Sequence, residues 1–241
     1  MSVATRREVR FTDKDAALRD DVHALGALVG DVIREQGGAA LFQRVETARV
    51  AAIRRREGEE QGEAELEDAV RSLGPREVGE LVHGFGAYFD VVNLAERVHR
   101  IRRRRDYLRA GATGAAPQEG SLEDTLRRLA AAGLGPADVG RLLERLVFEP
   151  VFTAHPTEAT RRTLLEKQQA IGRLLVRRLD PSLTAAEARA ILGQIREEIT
   201  IGWQTEARRT QRPTVLDELE HVLFFLTDVV DRVVPPFYEE L

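Results

Sequence analysis

T-A-H-P-T-E-A-T-R-R-T, residues Thr153–Thr163, is the stretch on which the reading of this chain turns. It follows an apolar run, Leu146-Val147-Phe148 and Val151-Phe152, which reads as a short buried strand. After it, Leu164, Leu165, Ile171, Leu174 and Leu175 recur at helical spacing. The pattern sets His155 where a strand stops and a helix begins. Pro156 suits the first helical position, where a missing N–H costs nothing, and Glu158 is placed to reach back to the N-cap. Arg161 and Arg162 fall one turn into the helix, the wrong end for a cation. Each such placement costs about 0.3–1 kcal/mol against the helix dipole. An anion held between these guanidinium groups and the free N–H groups of the helix start would offset that cost. The local physics points to an anionic substrate beside an ionisable imidazole.

Outward from this turn, almost every periodic segment is helical. Leu18, Val22, Leu25, Val29, Val32 and Ile33 make one amphipathic face, stopped by Gly37-Gly38. Leu41, Val45, Ala48 and Ile53 belong to a second helix that runs out in the charged stretch Arg54–Glu60. Pro75 opens a longer helix through Val78, Leu81, Phe85, Phe89, Val92 and Val98 to about Leu108. Gly79, Gly84 and Gly86 weigh against its running unbroken, since each costs about 1 kcal/mol relative to alanine. Gly111–Gly120 reads as a flexible loop. Short helices near 121–132 and 136–146 precede the strand, and helices at about 157–179, 184–204 and 214–234 follow the histidine turn. A single strand cannot satisfy its own backbone groups. The expectation is a mainly α chain that forms the front portion of a longer one.

Composition narrows the function. The 241 residues carry a formal net charge of −4, and cysteine is absent, which excludes disulfides and thiolate metal sites. No stretch has the apolar length of a membrane span, and the first ten residues lack the apolar core of a signal peptide. A cytoplasmic protein is expected. Lys14 and Lys167 are the only lysines, yet acids are interleaved with the arginines throughout, whereas a nucleic-acid surface is usually net basic. Arg54–Arg56 and Arg102–Arg105 read as solvated helix ends. His23, His83, His99 and His221 lie within helical segments and read as structural; no two have the spacing of a zinc site.

A second constellation, W-Q-T-E-A-R-R-T-Q-R-P-T-V-L-D-E, spans Trp203–Glu218. Arg208, Arg209 and Arg212 crowd the end of one helix, and Thr214 caps the next with Asp217 in the manner of a capping box. Leu216, Leu219, Leu223, Leu226 and Val230 are expected to be that helix's buried face. From this segment alone the arginines need do no more than complement a helix C-terminus.

Together these segments resemble phosphoenolpyruvate carboxylase of the bacterial and plant type. The match at Thr153–Thr163 has no departure; the second block agrees at Trp203, Thr205, Arg209, Arg212, Pro213, Asp217 and Glu218. L-R-D-D-V-H-A-L-G-A-L-V-G-D-V-I at Leu18–Ile33 and R-V-E-T-A-R at Arg44–Arg49 agree too. Departures are Ala207 for a usual carboxylate, Arg208 for a usual aliphatic residue and Val215 for a usual proline. The resemblance implies a helical region, 1–145, followed at 146–241 by the first strand and next helices of an incomplete α/β barrel of the TIM type. Catalytic residues of such barrels sit at the C-terminal ends of strands, which suits His155. It implies a lyase joining bicarbonate to phosphoenolpyruvate, giving oxaloacetate and phosphate, with Mg²⁺ or Mn²⁺ held by residues beyond Leu241. His155 would take the proton of carboxyphosphate as general base, a task matched by imidazole's near-neutral pKa. Thr153, Pro156, Thr157 and Glu158 support that motif, and Arg161, Arg162, Arg209 and Arg212 are candidates for holding anionic substrate. A homo-oligomer, usually a tetramer, is implied for the longer enzyme, and this chain alone is expected to be inactive. Two other classes remain open: a phosphotransferase carrying phosphate on His155, and a non-catalytic helical scaffold.

Overall fold

In the computed structural model, which describes residues 15–147, 161–205 and 214–240, the stripe beginning at Leu18 folds as α1 (Ala16–Gln36). Its Leu25, Val29, Val32 and Ile33 are each at most 2% exposed and form the centre of the core. A single residue, Gly37, separates α1 from α2 (Gly38–Arg56), whose Leu41, Val45 and Ala48 close on the same interior. α2 runs out in the charged stretch as expected, and a further helix that the sequence reading did not pick out, α3 (Glu60–Arg71), follows it. Leu66 of α3 packs against the core, and Gly62 is buried against α2. A guanidinium adds to this: Arg54 donates to both carboxylate oxygens of Glu65 at 2.6 and 2.7 Å. Arg54 is thus a bridge between helices, not a solvated end.

The long helix α4 (Pro75–Gly111) runs unbroken over about 55 Å. Pro75 stands at its first position, and the Glu77 carboxylate accepts the Gly74 N–H at 3.0 Å. Its glycines do not break it, and Gly84 has a packing reason. A Cβ there would stand 2.9 Å from Val45 Cγ2, so the missing side chain lets α4 lie close on α2. Arg44 of α2 fastens the same end, reaching Glu77 at 2.6 Å and Glu80 at 3.3 Å.

After the loop at 112–121 come α5 (Leu122–Ala131) and α6 (Pro136–Leu143), neither of which buries a residue. α7 (Arg162–Arg177) and α8 (Ala185–Gln204) then form an antiparallel pair. Their direction is fixed by two cross-contacts. Gly202 lies against Leu164, and Lys167 Nζ meets Glu198 Oε2 at 2.9 Å. Ile171 and Leu175 of α7, with Ile191, Ile195 and Ile199 of α8, complete one core with α1, α2 and α4. That core draws on helices from both sides of residue 146.

A buried polar cluster crosses this core. Asp21 sits on the apolar stripe of α1 and accepts from Arg102 of α4 at 2.5 Å and from Arg178, just past α7, at 3.4 Å. A second nitrogen of Arg102 donates to His99 Nδ1 at 3.0 Å. Arginine has only donors. His99 must therefore accept at Nδ1 and carry its proton on Nε2, which faces Asp15 Oδ1 at 3.4 Å. Arg102, expected at a solvated helix end, is half-buried well inside α4.

The last helix departs further from expectation. α9 (Val215–Phe224) passes through a π-helical turn, Phe225–Val230, into α10 (Asp231–Glu240), beyond the expected end near 234 and through Pro235 and Pro236. Thr214 and Asp217 do form the expected box, the Asp217 N–H donating to Thr214 Oγ1 at 3.2 Å. The expected buried face is not buried: Leu216, Leu219, Leu223 and Leu226 are all exposed. Periodicity marks a face as apolar without saying that a partner is present. The described residues contain no strand. Leu146 and Val147, its expected first residues, are exposed irregular chain after α6, and 148–152 lie outside the described residues.

Candidate functional site

Arg161–Thr163 of the first motif and Trp203–Thr205 of the second lie at one end of the α7–α8 pair. α7 begins at Arg162, with Arg161 as its N-cap residue in extended conformation (ψ 137°). The Arg161 carbonyl accepts from Leu164 and Leu165 at 2.9 and 3.2 Å, which starts the helical ladder. The two arginines therefore stand at the N-cap and first position of the helix, one turn earlier than the sequence pattern suggested. The unfavourable dipole at Arg162 is eased within the helix, since its Nε donates to Glu166 Oε1 at 2.9 Å. The Arg162 guanidinium also lies 4.7 Å from the Phe224 ring centroid, a cation–π contact that ties α9 to α7. The same Phe224 helps line a groove of about 530 Å³ between α4 and α7, whose walls include Leu94, Val98, Leu165 and Arg173.

The C-terminal end of α8 sits level with the start of α7. A Cβ on Gly202 would touch Leu164 Cδ2 at 4.0 Å. Trp203 stacks face to face on His83 of α4, with ring centroids 4.1 Å apart and planes inclined by 8°. Gln204 donates to Gln36, the last residue of α1, at 2.9 Å. The chain leaves the helix at Thr205, where ψ turns to 123°. Partial burial pushes the His83 imidazole below its ordinary pKa, so at neutral pH the ring stacks in its uncharged form.

Of the residues singled out in the sequence, Arg161 and Arg162 lie within the described structure. Thr153, His155, Pro156, Thr157, Glu158, Arg209 and Arg212 fall outside the described residues. The structure thus brings together the flanks of the two motifs, Arg161 and Thr205, at one end of one helix pair. Two features escaped the sequence reading. The Asp21 cluster was legible in principle, because a carboxylate in register with Leu25 and Val29 has to find a cation. The partnership of His83 with Trp203 carried no local signal, the two rings being far apart in sequence.

Residues 18–241 match the family model described as phosphoenolpyruvate carboxylase. The chain belongs to the phosphoenolpyruvate carboxylase family. A phosphoenolpyruvate carboxylase of Xanthomonas oryzae pv. oryzae is 47% identical over 236 residues, covering 98% of this chain and 26% of the relative. One from Xanthomonas campestris pv. campestris is 48% identical over the same span and shares. A more distant one from Ralstonia nicotianae is 40% identical over 229 residues, 95% of this chain and 23% of the relative. The chain spans about a quarter of the length of the phosphoenolpyruvate carboxylases it matches. The match includes the His155 turn, the second arginine block and every helix of the core.

Proposed function

We propose that this chain is the N-terminal portion of a phosphoenolpyruvate carboxylase, a lyase that joins bicarbonate to phosphoenolpyruvate and yields oxaloacetate and phosphate. The observation that carries the reading is the uninterrupted Thr153–Thr163 motif inside a chain that matches the family from residue 18 to 241. In this reading His155 stands at the end of the first strand of an α/β barrel and takes the proton of carboxyphosphate. Imidazole suits the step because its unperturbed pKa lies near neutrality. Two anions must meet in such a site, and fixed cations offset their repulsion. Arg161 and Arg162 at the start of α7 are candidates for that role, with Arg209 and Arg212 of the second block. The glutamate already paired with Arg162 would have to yield to, or share it with, an incoming anion.

Among the described residues no three His, Cys, Asp or Glu side chains gather as a metal site. In this reading the ligands of Mg²⁺ or Mn²⁺ lie beyond Leu241. No helix among the described residues is long and apolar enough to cross a membrane. A cytoplasmic homo-oligomer, inactive as the isolated chain, is part of the same proposal. The test is His155→Asn in the longer enzyme, read as oxaloacetate formed from phosphoenolpyruvate and bicarbonate. Activity should vanish, and retained carboxylation refutes the assignment.

A further inference from the structure

We propose that His83 is a positioning residue, holding through its stack on Trp203 the end of α8 against the start of α7; the inference rests on the carboxylase reading above. Neither motif contains His83, and it lies on a different helix from both. Its place on α4 is rigid. At the neighbouring Gly84, α4 lies close on α2, a Cβ there being 2.9 Å from Val45 Cγ2. From this fixed point the His83 ring covers the Trp203 ring at 4.1 Å, nearly parallel. Trp203 occupies the last turn of α8, two residues before the backbone leaves the helix.

Three contacts then set where α8 ends: Gly202 on Leu164, Trp203 on His83, and Gln204 on Gln36. At the first, Gly202 faces Leu164 with only the space of a Cβ between them, which has no directional content, and the third is an exposed hydrogen bond, which water can replace. The aromatic stack is the one of the three that fixes both the position and the inclination of a large side chain. Leu164 is separated from Arg162 by one residue, so the same contact set orients the N-terminal turn of α7 that presents the two arginines. Loss of the stack should loosen both helix ends while leaving the core at Leu25, Ile33 and Ile195 untouched. An uncharged ring suits this task, since a stacked imidazole that charged on acidification would have to be solvated.

The test uses the longer enzyme with four variants: His83→Ala, His83→Gln, His83→Phe and His155→Asn. The Ala and Gln variants remove the aromatic disc, whereas Phe keeps it. A misplaced anion-binding turn weakens substrate binding. KM for phosphoenolpyruvate should therefore rise on the order of 10-fold in the Ala and Gln variants, with kcat within about two-fold. His83→Phe should restore KM to near the parent value. Should His83→Ala fail to fold, the comparison of Gln with Phe carries the same information. An unchanged KM in His83→Gln, or a His83→Phe enzyme as impaired as His83→Gln, overturns the inference. His155→Asn separates the two levels. If it is inactive while the His83 variants match the parent, the positioning role falls alone. If it still carboxylates, the carboxylase reading falls.

Discussion

Asp21 offers the sharpest test of the fold. Its carboxylate is 12% exposed and joins Arg102 and Arg178, whose side chains are 21% and 23% exposed, so it fastens α1 to α4 and to the end of α7. Asp21→Ala leaves two guanidinium groups facing a small cavity. Removing one partner of a fully buried pair costs about 3–5 kcal/mol, because the other charge is stranded. Here both arginines keep partial access to water and can turn outward, which argues for less than that range, about 2–3 kcal/mol. For a chain of this size 1 kcal/mol shifts Tm by about 2–4 °C, so a drop of about 4–12 °C is expected. Asp21→Asn keeps one acceptor and should lose roughly half as much. The double variant Asp21→Leu with Arg102→Met should lose less than Asp21→Ala, since only the partly exposed Arg178 is then left without the carboxylate. Thermal and urea unfolding followed by circular dichroism measure all three. An Asp21→Ala protein melting within about 2 °C of the parent, or a double variant as unstable as the single one, would refute the argument.

Gly62 and Gly79 should respond oppositely to alanine. A Cβ at Gly62 would lie 2.3 Å from the Arg55 backbone nitrogen, so Gly62→Ala must push α3 off α2, at about 1–3 kcal/mol. A Cβ at Gly79 meets nothing within 4 Å, and Gly79→Ala should stabilise α4 by roughly 0.5–1 kcal/mol. Urea midpoints of the pair decide the point, and a stabilising Gly62→Ala would contradict the close approach. At α8, the Thr184 N–H and hydroxyl both donate to Glu187, at 2.8 and 2.7 Å, and these bonds hold its carboxyl below the ordinary value of 4.5. The folded value is the lower one, so this stabilisation is complete above about pH 4.5 and is lost as pH falls through the folded value. Thr184→Ala should cost about 1 kcal/mol at pH 7 and less near pH 3, as melts at the two pH values will report; equal losses at both would count against the cap.

The parts of the fold legible in the sequence are those governed by a single chain segment. The stripe from Leu18 to Ile33, the Pro75 start of α4 and the Thr214 box depend on local spacing and local capping, and each stands where the pattern put it. Helix α3 was missed because its apolar face is short, Leu66 and, just past its end, Leu73 beyond the small Gly62, while Arg54 reaching Glu65 is a contact between helices that no local pattern announces. The glycines of α4 misled for a related reason: Gly84 serves the approach of α2, and a propensity scale sees only the lost alanine. Of the candidate site, the sequence supplied the residue types and the motif, while the level meeting of Arg161 with Thr205 follows from the antiparallel packing of α7 on α8. Packing between helices has no local code.

The exposed leucines of α9 carry the remaining argument. Leu216, Leu219, Leu223 and Leu226 fall on one helix face, and Leu216 is 72% exposed while Leu223 is 47% exposed. α5 and α6 add Leu122, Leu126, Leu142 and Leu143, all exposed, on helices that bury nothing. Scattered apolar residues on a surface are ordinary, but leucines aligned over three turns form a patch, and patches mark contacts. At about 25 cal/mol per Å² of apolar surface covered, a face of four leucines represents several kcal/mol left in water. The isolated chain should therefore bind a fluorescent apolar dye strongly and self-associate at micromolar concentration. The paired change Leu216→Glu with Leu223→Lys should cut both, because it places charge in the middle of the stripe without touching the core. Light scattering and dye titration read the outcome. A dye-silent monomer would mean that α9 folds its leucines inward in solution, and the exposed face described above would then be wrong.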